Sequence, residues 1–266
     1  TDNSKDRLKF ISNFSGSAGF AIIFKNKKYL FVDGRYTIQA KKQSYKNFRV
    51  ITFPDKFPKD ILKFKKSMLI GFDPKLHTER QVNFLFKFKN IILKPINDNL
   101  VDKIWFNKPK EKVKKFFFLP NSISGKSANK KIFELKKYLN KNKYDFLFIS
   151  APENVAWILN IRGNDSLFSP ITNARLLIDK KGRLDLFTNL KKISGIVKML
   201  NKKIFLHEEN KIDEFISKIS NKTILLDNQS CSIHYKKVFE KKNRILFKMD
   251  PTYKLKAIKN KTEIKN

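Results

Sequence analysis

Three histidines and one cysteine are the residues of this 266-residue chain best suited to nucleophilic or metal chemistry. His77, His207 and His234 stand far apart, and none has a second ligand at the spacing of a zinc site. We therefore predict structural or solvated imidazoles. Cys231 lies three residues before His234, which is too close for the usual pairing of a nucleophile with its base, so we expect a packed thiol.

A small-residue segment, SGSAG at residues 15–19, is the nearest approach to a phosphate-binding loop. Its glycines lack the spacing of a dinucleotide fingerprint, and no Lys-Ser/Thr pair follows, so a tight turn is the better interpretation. From the residues alone, the chain shows no machinery for chemistry.

The net charge is far from zero: 58 Lys and Arg stand against 24 Asp and Glu, which gives +34. Such a charge ordinarily indicates a nucleic-acid partner. Only eight of the 58 cations are Arg, however, and the lysines are spread along the whole chain, whereas specific readers favour the planar fork of Arg. We favour the base composition of the source genome as the cause, with a selected electrostatic role as the alternative.

Composition predicts a folded protein that stays out of the membrane. Hydrophobic residues make up 41% of the chain, with 26 Phe, which is enough for real cores. A single cysteine cannot form an internal disulfide and indicates a reducing compartment. No apolar run reaches the roughly 18 residues of a membrane span. We expect a soluble, cytoplasmic protein with no membrane association.

Strand-like and helix-like segments alternate along the chain, which is typical of an α/β protein. In the first half we predict a β-hairpin with strands at residues 20–24 and 29–32, and three further strands at 48–53, 68–72 and 91–96. Helices are predicted at 35–43, 59–65 and 78–89. Residues 107–126 carry two prolines and a charged run, and predict an interdomain connection. A second α/β series follows, with a helix after Ser127 and a strand at 146–149.

A faint internal repeat relates the two halves. Residues 21–41 and 176–198 both predict strand, lysine-rich turn, strand and helix. The alternatives are two copies of one fold and the chance recurrence of a common hairpin–helix motif. We place the domains at residues 1–119 and 120–250, with 251–266 as a linker into a further domain.

Six segments in one order resemble Xaa-Pro aminopeptidases (aminopeptidase P) of the creatinase/prolidase-type metallopeptidases. The segments cover nearly the whole chain and include two distinctive runs, VDGRY at 32–36 and ENVAWILNIRGND at 153–165. The others are residues 10–19, 71–78, 99–105 and 256–264.

The resemblance implies two consecutive creatinase-like N-terminal domains, each a mixed β-sheet with flanking helices, followed by a pita-bread catalytic domain. That last domain would hold two divalent metal ions, manganese in most relatives, which activate a hydroxide for removal of the N-terminal residue preceding proline. The resemblance assigns no metal ligand and no catalytic residue to this chain. We therefore expect a fragment that is inactive by itself.

The resemblance also suggests that this segment walls the substrate cleft and supports assembly of a homodimer that acts on proline-containing peptides. The cleft candidates are Arg35, Tyr36, Arg162 and Asp165. The alternative for Arg35 is a solvated or interdomain salt bridge, and for Arg162 and Asp165 a structural loop clamp. The alternative for the whole chain is a stand-alone creatinase-like module whose basic surface binds a partner or nucleic acid. We expect no specific nucleic-acid partner.

Overall fold

The computed structural model describes residues 3–63, 66–166 and 168–265, and the chain divides into two compact units. The first unit comprises residues 1–73 and 81–111, and the second comprises residues 74–80 and 112–266. Within the described ranges, no helix has the length and apolar character needed to cross a membrane.

The first unit alternates short strands and helices. Its elements are α1 (Arg7–Ser12), β1 (Gly19–Ile23), β2 (Lys28–Asp33), α2 (Thr37–Gln43), β3 (Phe48–Phe53), α3 (Pro58–Ile61), β4 (Met68–Phe72), α4 (Glu79–Phe86), which begins at the boundary between the units, β5 (Ile91–Pro95) and α5 (Leu100–Ile104). Strand β2 pairs antiparallel with β1 and parallel with β3, while β4 and β5 form a separate parallel pair.

Strand β2 has apolar residues on both of its faces, because successive side chains point to opposite sides of a sheet. Leu30 and Val32 are fully buried with Phe14 and Ala40 on one side. Tyr29 and Phe31 belong to a second cluster on the other side. A strand with apolar residues on both faces must lie between two layers, which explains its continuous apolar run.

The second unit is built around a larger sheet. Its elements are β6 (Phe117–Phe118), α6 (Asn121–Ser124), α7 (Ala128–Lys141), β7 (Phe146–Ile149), α8 (Pro152–Leu159), β8 (Ile161–Arg162), β9 (Arg175–Asp179), β10 (Leu184–Thr188), α9 (Leu190–Ile193), β11 (Ile204–Glu208), α10 (Ile212–Ser217), β12 (Thr223–Leu226), α11 (Ile233–Glu240), β13 (Arg244–Phe247), α12 (Pro251–Ala257) and α13 (Lys261–Lys265). Six strands form one sheet in the order β11-β10-β9-β7-β12-β13, and β6 pairs with β8 separately.

Strand β7 lies at the centre of this sheet, antiparallel to β9 and parallel to β12. Leu147 and Ile149 enter one core cluster, which includes residues of α7 and α8, and Phe148 enters another, which includes residues of α10 and α11. The short run FLFI is therefore apolar throughout because both faces of the strand are covered by helices.

The two units repeat one topology. In the first unit β2 pairs antiparallel with β1 and parallel with β3, and in the second unit β10 pairs in the same way with β9 and β11. Each unit also has a further parallel pair, β4–β5 in the first and β12–β13 in the second. In the described residues of the first unit, no strand takes the place that β7 takes in the second. The internal repeat thus reflects two copies of one fold.

The aromatic end of the predicted connection, residues 107–126, is an ordered part of the second unit. Phe116 is buried, and its backbone N–H donates to the carbonyl oxygen of Lys192 at 2.8 Å. The following residues form β6, which pairs with β8. Phe116 belongs in the core because leaving such a side chain in water is unfavourable by about 2 kcal/mol, whereas Phe117 is 44% exposed.

Candidate functional site

Arg35 is presented to solvent from the turn that follows β2. The Asp33 carboxylate caps this turn by accepting from the Arg35 backbone N–H at 3.0 Å and from its Nε at 2.8 Å. The hydrogen bonds from Arg35 lower the pKa of Asp33. The Arg35 side chain is 76% exposed, so the pair orients the guanidinium without burying it.

Tyr36 lies beside Arg35, whose guanidinium carbon is 5.7 Å from the centre of the phenol ring. The Tyr36 ring meets Phe14 edge-on with the centroids 6.0 Å apart, and its hydroxyl is 2.7 Å from the Ser17 hydroxyl. A Cβ on Gly16 would collide with Phe14 and Tyr36. The small-residue segment 15–19 therefore serves close packing around this aromatic pair rather than phosphate binding.

Arg162 is positioned by the turn that connects α8 to β8. Asn160 takes the left-handed conformation that ends the helix, with φ of 53°. After the short strand, a Cβ on Gly163 would lie 2.8 Å from the Phe116 ring, so only glycine fits there. Arg162 Nη1 donates to the carbonyl oxygens of Ala156 and Ile161, at 3.1 and 2.9 Å. Burial lowers the pKa of Arg162.

Asp165 has different partners from Arg162, although the two residues are three apart in the chain. Its carboxylate accepts from the backbone N–H of Asn173 at 2.7 Å and from Lys192 Nζ at 2.7 Å. The Asp165 and Lys192 side chains are only 4% and 2% exposed. This buried ion pair ties the loop after β8 to α9.

Of the four predicted site residues, the structure places Arg35 and Tyr36 together in the first unit. Arg162, at the end of β8, and Asp165, in the loop that follows, belong to the second unit and have separate partners.

A cavity of about 280 Å³ lies next to Arg162 in the second unit. Its charged lining residues are Arg162, Lys131, Lys259 and Glu263, with Trp157 among the apolar ones. We call it the Lys131–Arg162 cavity. It brings three cations and one carboxylate around a small volume.

Lys131 is the buried cation of this cavity. Its Nζ donates to the carbonyl oxygen of Trp157 at 2.7 Å and to Asn160 Oδ1 at 2.6 Å, and lies 4.1 Å from the centre of the Trp157 ring. Burial lowers the pKa of Lys131 to about 8. Removal from water disfavours the charged form of a lysine, and the two acceptors and the indole face offset part of that cost.

Sequence reasoning missed Lys131, although its spacing identifies it. The helix α7 buries Ile132, Leu135 and Leu139 at helical intervals. Lys131 is four residues before Leu135 and therefore lies on the same face. A lysine within the apolar stripe of a helix is the signal that distinguishes it from the exposed lysines of the same helix.

Glu263 brings a carboxylate to the cavity from α13. Trp157 Nε1 donates to its Oε1 at 3.5 Å, and the backbone N–H and side-chain amide of Asn260 donate to its Oε2, at 3.0 and 2.9 Å. Asn260 Oδ1 in turn accepts from the backbone N–H of Thr262 at 3.0 Å. The start of α13 is thus held by a capping arrangement that fixes the glutamate beside Trp157.

Two of the histidines each meet a single carboxylate. His207 Nε2 lies 2.8 Å from Asp185 Oδ1, and His234 Nε2 lies 2.8 Å from Asp213 Oδ2. Within the described ranges, no group of three or more His, Cys, Asp and Glu side chains is placed to hold a metal ion. Cys231 is buried, and its burial raises the pKa of the thiol to about 12. It is the packed thiol that the sequence predicts.

The chain is similar to known proteins along nearly its whole length. Creatinase/Prolidase N-terminal domain models match residues 3–98 and 107–263. Xaa-Pro aminopeptidase 1 of Dictyostelium discoideum is 30% identical over an alignment of 280 positions, gaps included, that covers 97% of this chain and 44% of that protein. A probable Xaa-Pro aminopeptidase P of Laccaria bicolor is 31% identical over 98% of this chain and 43% of its own length.

A solved structure shows the same fold. The cytosolic X-prolyl aminopeptidase of Caenorhabditis elegans, an enzyme with a di-nuclear active site, matches all of this chain and 46% of its own chain, with a TM-score of 0.86 at 23% identity. The present chain spans less than half the length of these relatives. With a family model covering more than half of it, and a second one covering most of the rest, the chain belongs to the creatinase/prolidase N-terminal domain family.

Proposed function

We propose that this chain is the N-terminal, non-catalytic part of a metal-dependent aminopeptidase that removes the N-terminal residue preceding proline. The observation that carries the proposal is the alignment of 97–98% of the chain with proteins named Xaa-Pro aminopeptidases. The segment would wall the substrate cleft and support assembly of a cytoplasmic homodimer. The cytosolic relative from Caenorhabditis elegans supports this compartment.

The metal chemistry would belong to a domain outside these residues. Two divalent ions, manganese by the resemblance, are consistent with the di-nuclear active site of the nematode enzyme. The described residues do not fit such a site, because their histidines and carboxylates meet in pairs rather than in larger groups. We therefore derive no catalytic step from this segment and propose that it is inactive alone.

Arg35 and Tyr36 are the candidates in the first unit for contact with the peptide. An exposed guanidinium held in place by Asp33 is suited to meet a carboxylate or carbonyl of a substrate at little cost in side-chain entropy. In the second unit, Arg162 lines a cavity, whereas the side chain of Asp165 is almost fully buried. The burial of Asp165 supports the alternative role of a structural clamp.

The test compares the product of the complete gene with residues 1–266. We expect the complete protein, loaded with Mn²⁺, to cleave a tripeptide with proline in second position. The same tripeptide with alanine in place of that proline should remain intact. Residues 1–266 should show no turnover. Metal-dependent turnover by residues 1–266 would contradict the assignment, as would a complete gene that encodes no Asp, His and Glu ligand set after residue 266.

The role of Arg35 is tested in the complete protein. Arg35→Gln should raise KM with the unfolding midpoint unchanged, because its side chain packs little against the fold. Arg49→Gln, also at an exposed arginine of the first unit, is the matched control and should leave KM unchanged. Equal KM for wild type and Arg35→Gln would place Arg35 outside the cleft.

A stand-alone binding module is the second candidate, and the net charge of +34 is the observation that favours it. Binding to DNA or RNA through dispersed lysines should be independent of sequence and fall steeply with salt. Tight, salt-resistant binding to one sequence would favour this function over the peptidase assignment.

A further inference from the structure

The Lys131–Arg162 cavity carries more positive charge than its own carboxylate balances. Three of its lining residues are cations, Lys131, Arg162 and Lys259, against one carboxylate, Glu263. Two of these cations are withdrawn from bulk water, which is costly unless a negative charge or several acceptors compensate. An uncompensated positive cavity attracts anions.

Lys131 forms no ion pair among the described residues. Its two acceptors, the Trp157 carbonyl oxygen and Asn160 Oδ1, are neutral, and its remaining contact is the indole face. These contacts hold the ammonium in position without neutralising it. The positive charge of protonated Lys131 therefore acts on the cavity through a low-dielectric wall.

Arg162 lines the same cavity and has donors that its protein contacts do not use. Both of its hydrogen bonds to the protein leave from Nη1, so within the described part of the chain Nε and Nη2 meet no acceptor. The backbone carbonyls that Nη1 contacts fix the plane of the guanidinium. A fixed guanidinium with two free N–H directions is the geometry that pairs with a planar or tetrahedral oxyanion.

Glu263 offsets only part of this charge. Its two carboxylate oxygens are occupied by Trp157 Nε1 and by the amide donors of Asn260, and it makes no ion pair with Lys131 or Arg162. The cavity volume of about 280 Å³ is several times the roughly 30 Å³ that one water occupies. It has room for a small anion and its waters.

We propose that the Lys131–Arg162 cavity is a binding site for a small oxyanion, a carboxylate or a phosphate, held by Arg162 and attracted by Lys131. Trp157 and the side chains of Leu119 and Ile123 form the apolar part of the wall, which lowers the local dielectric and so strengthens these charge interactions. The site lies within the second unit and involves no metal. Its test measures anion binding and not peptide cleavage, so its failure is distinguishable from failure of the peptidase activity proposed above.

Trp157 provides a local reporter for the test. The chain has two tryptophans, and Trp105→Phe leaves Trp157 as the only indole while keeping an aromatic ring against Phe10. In this background, the 266-residue chain is titrated at constant ionic strength with inorganic phosphate in one arm and acetate in the other. We expect saturable changes in Trp157 fluorescence, and the arm with the lower Kd identifies the anion class.

Two variants change the affinity in opposite directions. Arg162→Gln should weaken binding by about tenfold or more, because the anion loses a charge-assisted hydrogen bond. Glu263→Gln should tighten it by about threefold or more, because a competing negative charge is removed. Gain of affinity cannot arise from misfolding. Arg244→Gln, at an exposed arginine of the same unit, is the matched control and should leave Kd unchanged.

Three outcomes would overturn the proposal. One is a fluorescence change that does not saturate with either anion. Another is equal weakening by Arg162→Gln and Arg244→Gln, which would show attraction by the diffuse charge alone. The third is a Glu263→Gln variant that binds no more tightly than wild type. Each is distinct from failure of the peptidase assay, since none of them measures turnover.

Discussion

The buried ion pair between Asp165 and Lys192 gives the sharpest mutational prediction. The two side chains are 4% and 2% exposed, and their charged atoms are 2.7 Å apart. Lys192→Met removes the cation, keeps a flexible apolar chain of similar length and leaves the Asp165 carboxylate buried. Of the two donors to this carboxylate described above, only the backbone N–H of Asn173 then remains.

Removing one partner of a buried ion pair destabilises a protein by about 3–5 kcal/mol, because the remaining charge is poorly solvated. For a unit of this size, that loss lowers the melting temperature by roughly 10 °C. We expect the double variant Lys192→Met/Asp165→Asn to recover about 2 kcal/mol or more, since the amide is neutral and its oxygen still accepts from Asn173.

Urea unfolding followed by Trp157 fluorescence, in the Trp105→Phe background, measures the free energy of unfolding of the second unit. The control is Lys191→Met, because Lys191 precedes Lys192 in the chain and is exposed. It should change the free energy of unfolding by less than about 0.5 kcal/mol. A Lys192→Met variant as stable as this control would refute the clamp role, as would a double variant no more stable than the single one.

Three further predictions concern titrating groups. Burial lowers the pKa of Lys131 to about 8, below the roughly 10.4 of a lysine in the unfolded chain. Between these values the unfolded state binds more protons, so the free energy of unfolding should rise with pH. Measured from urea midpoints, the rise should reach about 2 kcal/mol at pH 10 relative to the pH profile of Lys131→Met. Parallel pH profiles would contradict this. Burial raises the pKa of Asp102, but hydrogen bonds from Arg7 and Lys108 outweigh it and lower the pKa. The stabilisation by ionised Asp102 should be present above about pH 4 and lost as the pH falls through the folded-state pKa. The free energy of unfolding of Asp102→Asn should therefore depend less on pH between about 5 and 2 than that of the wild type. Cys231 should react with a thiol reagent only at the rate of unfolding, and fast labelling of the native protein would show that the thiol is accessible.

Local patterns were sufficient to predict many of the elements. Strands at 48–53 and 68–72 were predicted where the structure has Phe48–Phe53 and Met68–Phe72, and the hairpin at 20–32 corresponds to β1 and β2. These segments are short apolar runs bounded by turn residues, so nearest neighbours in the chain decide them. The predicted helix at 78–89 is shorter in the structure, Glu79–Phe86, because helix ends depend on capping contacts that periodicity does not show.

The roles of individual charged residues were less predictable. Arg162 and Asp165 are neighbours in the chain and were expected to act together, yet their partners are different residues. The Asp165 partner, Lys192, is one lysine among 50 and lies 27 positions away. No spacing rule connects residues that meet only because α9 packs beside the loop after β8.

The sequence by itself determined the class of fold and the family to which the chain belongs, and it indicated a repeat that the strand pairing then showed to be two copies of one fold. These depend on the order of apolar runs and on motifs such as ENVAWILNIRGND, which are local in the chain. Only the tertiary structure decided which lysines are buried, which carboxylates they meet, and that Lys131, Arg162 and Glu263 surround one cavity. The reason is physical: the energy of a charge depends on the solvent and partners around it, and those are set by residues distant in sequence.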